Sequence, residues 1–285
     1  MFIGCIAIWG TTWIAITFQL GDTAPELSVA LRFGLASLLL AGYCRRRGEA
    51  LRQPWRIQAR AAGMGLAMFT AGYLCVYYAE QRVVSGLVAL GYCATPLVNQ
   101  WLYRLTLGRP VSARVTVGGL FGLAGIAAIY LPELSKLSIS HNVAVGALLT
   151  AGAVIFSSTG NVASSLLERD GLSVWQRMTL SMAWGAAGCL LLGLLRGIPL
   201  SLHADPAFIL SLLYLAIFGS IVAFAMYLTL LETIGGGRAG YIGVMVPIVA
   251  LALSWQFEGY LWTPLAIAGV ALAVAGNLIA LSPGQ

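Results

Sequence analysis

Charge is scarce in this chain, and its scarcity excludes most soluble architectures. Only 9% of the 285 residues are charged while 59% are hydrophobic, whereas a soluble domain carries about 25% charged residues. Histidine is nearly missing too: His141 and His203 are the two present, and both fall in expected loops. Metal binding and histidine acid–base chemistry therefore lack their usual raw material, and no metal site and no cofactor is expected. Cys5, Cys44, Cys75, Cys93 and Cys189 are odd in number and sit in or beside apolar runs. That argues against a disulfide framework and for small packing residues.

Acid is missing where a pump would use it. All ten Asp and Glu residues fall at the ends of apolar runs or between them. No mid-membrane proton relay is expected, unless Glu80, Glu232 or Glu258 reaches inward, so cargo is expected to move down its own gradient or by a coupling route the sequence does not reveal. Without histidine or paired acid inside a span, intramembrane Ser–His and aspartyl chemistry are excluded, and the chain is not expected to be an enzyme.

What is abundant is apolar length. A helix needs about 20 apolar residues to cross a hydrocarbon core of about 30 Å. Such runs occur near 2–20, 27–44, 61–80, 84–104, 114–131, 142–167, 176–195, 207–231, 238–257 and 260–282. The first begins almost at Met1, without a basic leader region, and is too long for a signal-peptide core, so it reads as a span. With an inner N-terminus, the inner connections hold Arg45, Arg46, Arg47, Arg52, Arg56, Arg60, Arg104, Arg109, Arg114, Arg169, Arg177 and Arg238, against Arg82, Lys136 and Arg196 outside. The positive-inside rule then puts both termini in the cytoplasm of a cell with a bacterial-type inner membrane. The net charge of +6 is thus an orientation signal, and no nucleic acid partner is expected.

The halves of the chain match at an offset of 151 residues: Pro96 falls on Pro247, Gly108 on Gly259, Gly118 on Gly269 and Gly125 on Gly276. "GGLFGLAG" meets "GVALAVAG", and near the start of each half, at an offset of 147, "AIWGTTW" meets "VIFSSTG" and pairs Trp9 with Phe156. Five spans per half is odd, so the second copy enters the membrane upside down. The expected fold is an all-α polytopic membrane protein, ten transmembrane helices in two inverted five-helix repeats, 1–137 and 138–285, forming one membrane domain. Inverted repeats of this kind build secondary transporters with a midplane cargo site and alternating access.

This arrangement, with "WGTTW" in the first span, "LRFGLASLLL" in the second and "SGLVALGYCATPL" followed by "LGRPVSARVTVGGLFGLAGI", resembles the drug/metabolite transporter superfamily, and within it the EamA-type exporters, over nearly the whole chain. The resemblance implies export of small metabolites. Its aromatic richness is similar to that of exporters of aromatic amino acids.

Candidate cargo residues are polar or aromatic groups far from the headgroups. Trp9 and Trp13 lie one turn apart with Thr12 between them. Facing a cavity, their N–H and hydroxyl groups meet water or cargo; facing a neighbour, the threonine bonds back to its own helix. Tyr73 and Tyr77 share a face of the third span; Tyr92, Pro96, Asn99 and Tyr103 form a stripe on the fourth; Ser157, Asn161 and Ser165 form one on the sixth behind Phe156. Phe224, Tyr227 and Tyr241 extend the set. Asn99 and Asn161 need hydrogen bonds from a helix or from cargo. Pro96 and Pro247 each remove an intrahelical bond at matching points and serve as bends or gates.

Arg32 is the basic residue within a span, about 7–8 Å inside its outer end. It is read either as snorkelling outward or pairing with Glu80, or as attracting an anionic group at the outer mouth. The implied partners are a small-molecule substrate, an amino acid or related metabolite, and membrane lipids, with the protein acting as a monomer. A hydrophobic-drug exporter of the same fold and a passive channel stay open as alternatives.

Overall fold

The computed structural model of the chain describes residues 1–135, 140–199, 201–203, 205–227, 229–230, 233 and 241–281. Lys136, Glu232, Arg238 and the expected repeat boundary at 137/138 lie outside them. No strand occurs among the described residues, which form ten successive helical stretches. They are α1 (Phe2–Thr17), α2 (Pro25–Arg46), α3 (Trp55–Glu80), α4 (85–107), α5 (Ala113–Ser135), α6 (Ser140–Arg169), α7 (Val174–Leu195), α8 (Pro206–Tyr227), α9 (Tyr241–Phe257) and α10 (Pro264–Leu281). By length and composition α2, α3, α6, α7 and α8 suffice to cross a membrane, and α1, α5, α9 and α10 contain shorter apolar stretches. The helix α3 starts six residues before the apolar run, because its first two turns carry Arg56 and Arg60 and are polar.

The helices stop where local chemistry dictates. Ser173 opens α7 with a capping box, its hydroxyl accepting from the N–H of Gln176 and its own N–H donating to the Gln176 side chain. Asp205 caps α8 through the N–H of Phe208. Gly108 ends α4 at φ 66° and Gly259 follows α9 at φ 70°. In each case the next residue returns an N–H to a carbonyl six positions back, Arg109 to Tyr103 and Tyr260 to Ser254. Both are left-handed caps that favour glycine, so the repeated glycine marks a repeated helix stop.

Other left-handed glycines also come in pairs that sequence matching did not pick out: Gly48 with Gly197 behind α2 and α7, and Gly21 with Gly171 behind α1 and α6. The packing repeats likewise. The helix α1 lies on α9 as α6 lies on α4, and α3 packs on α6 and α7 as α8 packs on α1 and α2. The pairs α2–α7 and α5–α10 are their own symmetry partners. At the latter, an added Cβ on Gly118 collides with the carbonyl of Gly276 and one on Gly276 with that of Gly118, while Gly125 and Gly269 stand in the same relation. Since Gly118 repeats as Gly269 and Gly125 as Gly276, this interface maps onto itself under exchange of the halves, as a two-fold contact must. Small residues there let the helix backbones approach closely, as membrane helix packing requires.

One irregularity is repeated and another is not. Both third helices carry a π-helical stretch, Gly65–Gly72 in α3 and Tyr214–Val222 in α8. In contrast α4 is interrupted by a 3₁₀ turn, Tyr92–Ala94, before Pro96 starts its second part, whereas α9 runs through Pro247 as one helix.

One end of the bundle carries the arginine-rich connections and may be called the basic end; the other holds the turns after α1, α3, α7 and α9. At that opposite end the halves are clamped. The N–H of Ser85, at the start of α4, donates to Glu258 Oε1 (3.0 Å), its hydroxyl to Oε2 (2.6 Å), and the N–H of Gly86 to Ser254 Oγ (2.8 Å). A carboxylate from one repeat thereby caps the unpaired N–H groups of a helix in the other.

Candidate substrate cavity

A cavity of about 220 Å³ lies between the halves, lined by Thr12, Trp13 and Ile16 of α1, Arg32 of α2, Met68, Phe69, Tyr73 and Val76 of α3, Tyr92 and Thr95 of α4, Ser157 and Asn161 of α6, and Phe224 of α8. Its walls are largely apolar, with the polar atoms concentrated on few groups.

The π-helical stretches make room for it. Each contains a glycine facing the first helix of the other repeat: a Cβ on Gly219 would lie 2.8 Å from Thr12 Cγ2, and one on Gly72 would lie 3.3 Å from Ser157 Oγ. A π-bulge inserts a residue into the helical turn and leaves carbonyls without their usual partner. In α8 the Gly219 carbonyl accepts the Trp9 indole N–H at 3.1 Å. Trp9 is therefore satisfied by packing, with its ring edge-on to Phe224 and tilted against Tyr227, both at 5.3 Å between centroids. The Thr12 hydroxyl donates back to the Trp9 carbonyl at 2.7 Å, so it is its methyl that faces Gly219.

Trp13 is placed differently. Its ring meets Tyr92 in a T-shaped contact at 5.3 Å, and the Tyr92 hydroxyl shares a 3.1 Å hydrogen bond with Ser157 Oγ. Tyr73 packs edge-on against Phe33 at 4.6 Å. These rings form a wall against which a planar apolar group can stack.

At the end of the cavity away from the basic connections sits Arg32, only 3% exposed. Its guanidinium carbon lies 4.8 Å from the Tyr73 ring centre and 5.2 Å from that of Phe33, which spreads attraction over two ring faces. Its Nε and Nη1 find no hydrogen-bond partner among the described residues, and neither do the carboxylate oxygens of Glu80. Burial rules out snorkelling for Arg32, and no hydrogen bond joins it to Glu80 among the described residues, although it is near enough to act on that carboxylate. Glu80 is itself 7% exposed, so the exception left open for an acid reaching inward applies to it. Above Arg32 the bundle is closed by Tyr77, whose hydroxyl donates to Gln19 Oε1 at 2.6 Å; both residues are buried.

Of the residues singled out from sequence, the structure brings Thr12, Trp13, Arg32, Tyr73, Tyr92, Ser157, Asn161 and Phe224 onto the cavity. Trp9 and Tyr227 pack just beyond Phe224, and Tyr77 is buried behind the wall. Asn99 bonds Asn161 Nδ2 through its Oδ1 at 3.3 Å and stands below the cavity. Phe156 is 38% exposed beside Gly72 and does not line it. Pro96 and Pro247 shape α4 and α9 without lining it. Tyr241 opens α9, and its side chain lies outside the described residues. Ile16, Met68, Phe69, Val76 and Thr95 were missed; the Phe69–Tyr73–Val76 stripe at helical spacing could have extended the set from Tyr73.

Comparison with known proteins gives a consistent picture. The profile of the EamA-like transporter family matches residues 1–131 and 144–282. The chain is 28% identical over 255 residues to the uncharacterized inner membrane transporter YedA of Escherichia coli (strain K12), covering 88% of this chain and 80% of that one. It is 23% identical over 282 residues to a probable amino-acid metabolite efflux pump of the same organism, covering 96% and 91%. A solved crystal structure superposes with a TM-score of 0.68 at 20% identity, covering 98% of this chain and 94% of the other, which shows a shared fold.

Proposed function

The chain belongs to the EamA-like transporter family and is a multi-pass membrane transporter, and from that premise we propose that its cargo is a small carboxylate with an aromatic or other apolar body, an amino acid above all, carried by alternating access through the cavity. The observation that carries this reading is Arg32. A cation buried beside aromatic faces, with two N–H-bearing nitrogens unpartnered, is poised to bind a carboxylate with charge-assisted hydrogen bonds. Trp13, Tyr73 and Tyr92 then face the apolar body, and Asn161 and Ser157 offer acceptors to an ammonium group.

Size supports a metabolite over a drug. At about 220 Å³ the cavity falls below the roughly 300–1,000 Å³ of sites for drug-sized ligands. The relative called a probable amino-acid metabolite efflux pump points the same way. The arginine-rich connections mark the basic end as cytoplasmic, with both termini there, and residues 1–137 and 138–285 act as two inverted units that rock about the cavity. Since the clamp at Ser85 and Glu258 joins α4 and α9 at the opposite end, the present conformation is closed outward. A single copy encloses the cavity, which supports action as a monomer.

Counterflow in reconstituted vesicles, with phenylalanine, tryptophan, leucine and a hydrophobic cationic drug as labelled cargo, tests this. Saturable counterflow of the amino acids is expected. Flux of the drug alone, or flux that never saturates, overturns the reading in favour of a drug exporter or a channel.

A further inference from the structure

Glu80 ends α3 one helical turn past Val76, which lines the cavity; like Glu26, which is held by Tyr78 and Arg196, it is a buried acid the transport reading leaves unused. It is 7% exposed, and both its oxygens lack a hydrogen-bond partner among the described residues. The charged groups near enough to act on it are Glu258, beyond α9, and Arg32, on α2. Tyr92 on α4 and Tyr77 on its own helix are near enough to feel its charge. Arg82 turns away to the Tyr78 carbonyl, at 2.6 Å, and His141 at the start of α6 is exposed.

A carboxylate stripped of water, without a donor and near a second carboxylate is far costlier than a neutral carboxylic acid in the same place. Glu258 has its oxygens satisfied: the Ser85 N–H, the Ser85 hydroxyl and the Ser254 hydroxyl all donate to it. Glu80 has no such donors. The two acids thus differ in role: Glu258 clamps the halves together, while Glu80 is buried one helical turn past the cavity-lining Val76 and makes no hydrogen bond of its own among the described residues. Buried acids of this kind inside membrane bundles serve as proton relays.

We propose that Glu80 is a proton-binding site of the transport cycle. A proton from water at the opposite end adds to a Glu80 carboxylate oxygen while that end is open. The clamp then closes over the neutral acid, and the proton leaves past Arg32 into the water of the cavity once the cavity opens to the basic end. No other bond forms or breaks. The transporter thereby couples cargo to a proton gradient, through one of the three acids that the sequence left open as reaching inward.

This inference rests on the transport reading, and two assays separate them. Counterflow at equal pH on both sides reports transport alone; cargo accumulation driven by an imposed pH gradient reports coupling. Wild-type protein is expected to show both. Glu80→Gln is expected to keep counterflow within about threefold and to lose the gradient-driven accumulation. Wild-type counterflow with no response to the pH gradient, accumulation driven by sodium instead, or gradient-driven accumulation surviving in Glu80→Gln each overturns the proton site while leaving transport standing. Absence of all counterflow in wild type removes the transport reading, and the proton site with it. Should Glu80→Gln fail to fold, Glu80→Asp keeps an acid but draws it back by one methylene. It is then expected to shift the midpoint of the counterflow pH profile by at least half a unit, and an unshifted profile overturns the proposal.

Discussion

The indole N–H of Trp9 donates to the carbonyl of Gly219 across 3.1 Å, tying the first helix of one repeat to the π-helical stretch of the other. The contact explains how a tryptophan is tolerated far from the headgroups: the bulge supplies an acceptor that a regular helix would have used internally. Because Gly219 also leaves room for Thr12, Gly219→Ala is expected to push α1 off α8. Its hypothetical Cβ lies 2.8 Å from Thr12 Cγ2, an overpacking that costs about 1–3 kcal/mol. A thermal-unfolding midpoint in detergent equal to that of wild type would contradict this.

The α5–α10 interface should be less forgiving, since backbone meets backbone there. Gly118→Ala and Gly276→Ala each place a methyl against a carbonyl and are expected to lower stability by about 1–3 kcal/mol or more. Gly42→Ala is the control: nothing lies within 4 Å of its Cβ, and in a helix interior the change is expected to be neutral or stabilising by up to about 1 kcal/mol. Equal losses at all three sites, read from thermal unfolding, would argue against the symmetric interface.

The polar stripes of α4 and α6 meet each other. Tyr92 bonds Ser157, Asn99 bonds Asn161, and Tyr103 bonds Ser165 and the Asn161 carbonyl. Asn99 makes its contact to a helix and not to the cavity, so Asn99→Leu is expected to cost about 0.6–1.7 kcal/mol of stability with little change in the KM of counterflow. Asn161 also lines the cavity, and Asn161→Leu is expected to raise KM as well. The opposite assignment of KM effects would exchange their roles.

How far the sequence carried this reading depends on how local the cause is. Gly108 and Gly259 were legible as a matched pair, and they match because a left-handed cap needs glycine whatever surrounds it. The repeat was legible for the same reason, although the Gly48–Gly197 and Gly21–Gly171 pairs escaped at slightly different offsets. Burial and depth were not legible. Tyr73 and Tyr77 share a helix face, yet one lines the cavity and the other is sealed behind it against Gln19. Both lie in the regular stretch Tyr73–Glu80 that follows the π-helical one, so what separates them is depth along the helix, which periodicity does not report. Glu80 looked like a span-end charge and Arg32 could have snorkelled outward from within its span; only the surrounding helices show that both are buried.

Arg32 carries the specificity argument, and its removal should act through cargo charge. Arg32→Gln is expected to weaken counterflow of carboxylate-bearing cargo about 10- to 100-fold in KM, the scale of a hydrogen bond to a charged group. It should change the KM of the corresponding amino acid amides little. Equal weakening of acids and amides would mean that Arg32 only supports the wall.

The central claim is that cargo sits in the cavity between the halves, and occupancy can be read there directly. In a variant whose native cysteines are replaced by alanine or serine, Ser157→Cys places one thiol on the cavity wall, open to a small water-soluble thiol reagent. The account predicts that labelling slows as a transported amino acid is added, with half-protection at the concentration that half-saturates counterflow. Labelling at an unchanged rate under saturating cargo would contradict it.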